Sequence, residues 1–115
     1  MTRNAEVLQG TLEMLTLKAL SLEPMHGWGI GHRIGQLSGG AFEVPQGSLY
    51  PALQRMLRKG WIRSEWRASE NNRRARYYRL TRAGERQLEI EAAAWERTVA
   101  AIGGILGFEL AEQES

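Results

Sequence analysis

The sequence predicts a mainly α domain of the α+β class: three short helices, a two-stranded hairpin and one long last helix. Apolar residues recur at helical spacing through most of residues 8–59. The period switches to two at residues 62–67, the mark of a strand with one covered face. Helical spacing then returns and holds from Leu88 to Leu106. With 115 residues the chain makes one domain more comfortably than two. A chain of this size buries roughly 65% of its unfolded surface, so it needs no disulfide or metal to hold a core.

The first helix is expected over residues 8–22. Leu8, Leu12, Leu15, Ala19 and Leu22 line one face at 4-3-4-3 spacing, and Leu17 and Leu20 add a second stripe. Glu23-Pro24 stops it, because the residue before a proline is pushed out of the helical region. After His26-Gly27 a second helix fits residues 28–38, with Ile30, Ile34 and Leu37 facing inward. Ser38-Gly39-Gly40 ends it, and Phe42 and Val44 anchor a brief extended stretch. The third helix, about residues 46–59, has Leu49, Leu53, Met56 and Leu57 as its apolar side and Gly60 as its stop. Pro51 places its start near residues 46–48, since a missing N–H is least harmful early in a helix.

Ile62, Ser64 and Trp66 alternate with Arg63, Glu65 and Arg67, and Ser69-Glu70-Asn71-Asn72 is turn chemistry. Arg76-Tyr77-Tyr78-Arg79-Leu80 forms the returning strand. Thr81 then caps the last helix, in which Leu88, Ala92, Trp95, Val99, Ile102 and Leu106 repeat at 4-3-4-3-4. Gly103-Gly104 either ends that helix or permits close packing, and spacing alone does not choose. Residues 109–115 form a short acidic tail, expected to fray.

Composition excludes several classes. Hydrophobic residues are 43% and charged residues 24%, close to average for a soluble globular protein. There is no cysteine, hence no disulfide, thiolate metal site or cysteine nucleophile. No apolar run reaches the roughly 18 residues that span a bilayer, so no membrane partner is expected. Residues 1–10 lack the apolar region of a signal peptide, and the cytoplasm is the expected location. His26 and His32 stand six apart, whereas helical ligand pairs need three- or four-residue spacing, so neither a metal nor a cofactor is expected. His26 could instead touch a phosphate or cap the second helix, and a purely structural role is the better reading.

The net charge of +2 conceals a strong asymmetry. Residues 1–45 carry −1, residues 46–82 carry +8, and residues 83–115 carry −5. Nine of the ten cations in the middle segment are arginine, whose planar fork suits phosphate better than a lysine ammonium does. A basic segment inside a near-neutral chain is the footprint of a nucleic-acid surface.

The order helix, helix, turn, helix, hairpin is that of a winged helix-turn-helix, and double-stranded DNA is the expected partner. On the third helix, Ser48, Pro51, Arg55 and Arg58 recur at 3-4-3 spacing opposite the apolar side, with Tyr50 and Gln54 beside them. An α-helix fits the major groove, where arginine pairs with guanine and glutamine with adenine, and hydroxyls reach phosphates. Arg73, Arg74 and Arg76 crowd the hairpin tip, placed to grip phosphates or enter a minor groove. On this reading Arg55→Ala relaxes base preference, whereas Arg74→Ala weakens binding to every duplex.

Four blocks carry a resemblance to a known family. They are His26-Gly27-Trp28-Gly29-Ile30, Gln46-Gly47-Ser48-Leu49-Tyr50-Pro51-Ala52-Leu53, Gly60-Trp61-Ile62, and Arg73-Arg74-Ala75-Arg76-Tyr77-Tyr78-Arg79-Leu80-Thr81. Together they resemble the PadR-like bacterial transcriptional regulators, over about Leu8 to Trp95. The resemblance implies a winged helix-turn-helix with a C-terminal helix, dimerisation, and repression from an operator. It also implies a recognition role for Gln46 to Arg58 and a wing role for Arg73, Arg74 and Arg76. Trp28 departs from the tyrosine usual in the first block. The single last helix is similar to the compact branch of the family.

The expected division is residues 1–80 as the DNA-binding unit and residues 81–115 as a dimerisation helix with its tail. The expected homodimer seam comprises Leu8, Leu12, Leu15, Leu88, Ala92, Trp95, Val99, Ile102 and Leu106. A residue at the centre of a two-fold seam meets its symmetry mate, so Trp95 either anchors the dimer or stacks with its mate on a small planar aromatic effector. Met14, Leu15 and Val99 would wall such a site. The family resemblance raises the effector reading, since some members respond to phenolic or multidrug-like compounds and others have no known ligand, but the dimer anchor stays the simpler reading of Trp95. Two other classes fare worse. An enzyme needs convergent catalytic groups, yet Glu85 and Glu89 have no histidine near them in sequence. A winged-helix adaptor that had lost DNA binding should have a less basic wing.

Overall fold

The computed structural model describes residues 11–108. Among these residues, four helices and a three-stranded antiparallel sheet follow in the order α1 (Leu12–Leu22), β1 (Met25–His26), α2 (Gly27–Leu37), α3 (Gln46–Lys59), β2 (Ile62–Ala68), β3 (Arg74–Leu80) and α4 (Arg82–Leu106). The sheet order is β1-β3-β2. The expected hairpin is present, with Ile62 opposite Leu80, Ser64 opposite Tyr78 and Trp66 opposite Arg76. Sequence alternation had no purchase on β1, whose two residues pair with Tyr78 and Tyr77.

The core forms where α1, α2 and α3 lay their apolar sides on one face of the hairpin. Leu17, Ile30, Leu49, Leu53 and Met56 are wholly buried, with Ile62 and Tyr78 closing the sheet side. Each aliphatic side chain so buried contributes roughly 1.5–3 kcal/mol. On α1 the buried stripe runs through Leu12, Thr16, Leu17, Ala19 and Leu20. It falls between the two stripes expected from spacing, at about 100° per residue. Leu15 therefore sits at the edge of the core, and Leu22 is exposed. Thr16 takes the central position, and its hydroxyl is buried without a hydrogen-bond partner. Leu37, expected to face inward, is exposed at the end of α2. Residues 8–10 of the expected first helix and Leu8 of the expected seam lie outside the described residues, as does the 109–115 tail.

Local chemistry sets the ends. His26 caps α2, its Nδ1 accepting from the Gly29 N–H at 3.0 Å. Gly60, in the left-handed region at φ 79°, closes α3. Pro51 lies in the second turn of α3, and the carbonyl it leaves unbonded belongs to solvent-facing Gly47. At the hairpin tip Asn72 adopts φ 60°, which asparagine tolerates better than most side chains. The Thr81 hydroxyl accepts from the Gly84 N–H at 3.0 Å and lies 2.7 Å from the Gly60 carbonyl, tying α4 to the α3–β2 turn. The last helix runs through Gly103-Gly104 to Leu106, and Gly107 (φ 82°) ends it.

Candidate nucleic-acid interface

Burial of Leu49, Ala52, Leu53 and Met56 decides which side of α3 faces outward. At about 100° per residue the midline opposite them passes through Gly47, Pro51, Gln54 and Arg58. All four are exposed. Tyr50 lies on one flank of this face, Ser48 and Arg55 on the other. The flanks are not equivalent. Arg55 Nε donates to Glu13 Oε2 at 2.6 Å, and Lys59 Nζ reaches Oε1 of the same carboxylate at 3.3 Å. Glu13 of α1 thus holds Arg55 against the domain, while Arg58 makes no ion pair among the described residues. Gln46 is exposed at the start of the helix.

Tyr50 is held by what Gly27 lacks. A Cβ on Gly27 would lie 2.6 Å from the Tyr50 hydroxyl oxygen and 2.9 Å from Cζ, so the phenol rests on bare backbone. This pins the N-terminal half of α3 to the start of α2. Beside it, Trp28 stacks on His32 with ring centroids 4.8 Å apart, and 63% of its surface is exposed.

Strand alternation divides the wing into two faces. One carries Ser64, Trp66, Arg74, Arg76 and Tyr78, the other Arg63, Glu65, Arg67, Tyr77 and Arg79. On the first, Arg76 Nε donates to Ser64 Oγ at 2.9 Å, and the Arg74 guanidinium lies 5.4 Å from the Trp66 ring centroid. On the second, Arg67 lies 4.2 Å over Tyr77. Between α3 and the first face runs an open groove of about 880 Å³. Tyr50 and Gln54 border it from the helix, Arg73, Arg74 and Arg76 from the wing, and Trp28 from α2. Recognition helix and wing, two separate stretches of the sequence, share this concavity. Gly27, Trp66 and Tyr78 belong to it as well, and sequence reasoning passed over them. Alternation grouped Trp66 with Ile62 and Ser64, but only the strand register puts Tyr78 on the same face, and its depth is a product of packing. Burial pushes the Tyr78 phenol above its ordinary pKa, Arg76 pulling it down and Tyr50 pushing it up. It is a neutral donor at physiological pH.

The sequence pattern of the PadR-like transcriptional regulators matches residues 16–90. The chain belongs to the PadR-like family of transcriptional regulators. It is 30% identical to the PadR-like regulator of Bacillus cereus, over 90% of this chain and 99% of that one, at a TM-score of 0.77. A transcriptional regulator from Clostridium thermocellum superimposes at a TM-score of 0.77 with 25% identity, over 86% of this chain and 96% of that one. A 37.1 kDa protein of a Streptomyces fradiae transposon is 40% identical over 85 residues, 74% of this chain and 23% of that protein. The PadR-like family is one of DNA-binding regulators, not of enzymes. No helix among the described residues is long and apolar enough to cross a membrane.

The expected seam residues on α4 are distributed unevenly. Leu88 packs against the core and Val99 is partly covered. Ala92 is exposed, as are Trp95 (45%), Ile102 (49%) and Leu106 (60%). Of the residues expected around an effector, Met14 and Trp95 border a shallow recess of about 220 Å³ between α1 and α4. Leu15 and Val99 lie outside its lining.

Proposed function

We propose that this PadR-like regulator is a homodimeric repressor of a near-palindromic operator. Its two α3 helices enter successive major grooves about 10 bp apart, and the wings hold flanking phosphates. Gln54 and Arg58 read base edges from the midline of α3, with Arg55 on the flank. Gln46, Ser48, Tyr50 and Pro51 set the helix against the backbone. The observation that carries this reading is the groove shared by α3 and a wing bearing Arg73, Arg74 and Arg76. Residues 1–80 form the DNA-reading unit and residues 81–115 the dimerisation helix and tail. The dimer is supported by the apolar stripe of α4, where Trp95, Ile102 and Leu106 lie uncovered in a single chain.

A planar aromatic effector, seated beside Trp95 and Met14 at the dimer seam, favours the DNA-incompetent arrangement. It must bind that state more tightly, since a ligand with equal affinity for both states shifts nothing. Trp95→Ala should abolish both aromatic-dye binding and effector release of DNA. Unaltered dye binding and release in this variant would refute the effector site.

The deciding experiment is fluorescence anisotropy with random and genomic-fragment duplexes at two salt concentrations. Selective binding that weakens steeply with salt is the expected result. Weak binding indifferent to sequence would instead favour a winged-helix adaptor.

A further inference from the structure

The groove between α3 and the wing holds a polar group that the fold itself leaves unused. Tyr78 is 3% exposed, and its phenol makes no hydrogen bond to a described residue. Yet it is not sealed off, because it lines the groove. Phenylalanine would fill the same core volume, so what tyrosine adds here is a hydroxyl at the groove. That hydroxyl is available to a molecule seated in the groove. Two further donors border the same groove. The Tyr50 phenol is held in place over the bare backbone of Gly27. The Arg76 guanidinium is oriented by its Nε bond to Ser64, which leaves its terminal nitrogens available.

We propose that this groove seats one backbone phosphate of a bound DNA strand. The Tyr78 hydroxyl donates from its floor, and Tyr50 and Arg76 donate from its walls. Gly27 is the positioning residue that lets Tyr50 take its place. The proposal rests on α3 and the wing being the DNA interface, and it adds a contact that carries no sequence information. The chemistry favours phosphate over a base edge. Base edges are read by donors and acceptors paired in a plane, whereas two hydroxyls and a guanidinium lining one groove suit phosphate oxygens. Trp66 and Trp28 supply flat apolar walls for the adjoining sugar.

The test uses the full chain and a mixed-sequence duplex in anisotropy titrations at two salt concentrations. Tyr78→Phe should weaken binding about tenfold on every duplex, the loss of one hydrogen bond to a charged group. Its salt slope should stay unchanged, because a neutral donor releases no counterion. Arg76→Ala should lower the slope by about 1. Duplexes carrying one neutral methylphosphonate at successive positions should show one sensitive phosphate per half-site. At that position Tyr78→Phe should add no further loss, and Gly27→Ala should be non-additive with Tyr50→Phe. A folded Tyr78→Phe protein that binds like wild type overturns the proposal. So does a wild-type scan without a sensitive phosphate, which needs no variant to fold. If wild type shows no salt-dependent duplex binding at all, the DNA-interface reading falls first.

Discussion

Arg55 and Arg58 stand three residues apart on α3 and look interchangeable in the sequence, but the fold gives them different neighbours. Arg55 is tied to Glu13, and Arg58 projects from the midline of the exposed face. Arg58→Ala should relax base preference, by about 1–3 kcal/mol of discrimination if it pairs with guanine. Arg55→Ala should act more on stability, lowering it by at most about 1 kcal/mol because the pair is exposed to solvent. Competition binding and thermal melting of the two variants separate these effects. A marked loss of base preference in Arg55→Ala, with melting unchanged, would restore Arg55 as a reader. Tyr78 adds a pH dependence. Its folded pKa is raised above the ordinary 10.0. Above pH 10 the unfolded chain therefore releases its proton first, so this stabilisation, complete below that pH, is lost as pH rises through the folded value. Chemical denaturation at alkaline pH should show a shallower decline for Tyr78→Phe than for wild type.

At the scale of elements, the junction of α4 with the rest of the domain is the most constrained point. The Thr81 hydroxyl serves both the Gly84 N–H and the carbonyls of the preceding turn. A Cβ on Gly84 would collide with the Trp61 carbonyl oxygen, which is backbone and cannot swing aside. Thr81→Ala should cost about 1 kcal/mol, as for other lost helix caps. Gly84→Ala should cost more, and both changes are read in urea denaturation. Thr81→Ser should recover most of the loss. Sequence reading found this cap, the α3 stop at Gly60 and both long strands, because each is written in residue type and short-range spacing. It missed β1, since two residues cannot display a period and Met25 and His26 become a strand only by meeting β3.

Across the whole molecule, the uncovered stripe of α4 bears on assembly. Ile102 is about half exposed in the single chain, so charge introduced there should spare the domain and strike the seam. Ile102→Asp should sediment as a monomer and lose most of its operator affinity. Two linked heads profit from a high effective concentration that separated heads lack. Retained dimer mass in this variant would place the subunit interface elsewhere. The charge division has a tertiary counterpart, because part of the basic middle segment is gathered around one groove by α3 and the wing.

The sequence by itself determined the winged helix-turn-helix order, the ends of most elements, the basic middle segment and the family. These are properties of period, residue type and contiguous motif, and they survive without knowledge of distant neighbours. Tertiary structure alone decided that Glu13 takes Arg55, that Gly27 carries Tyr50, and that Tyr78 forms the floor of the groove. It also turned α1 so that Thr16, not Leu15, lies in the core. Each of these depends on how helices rotate and settle against one another. A one-dimensional period shows that a face is buried, whereas packing selects the neighbour that buries it.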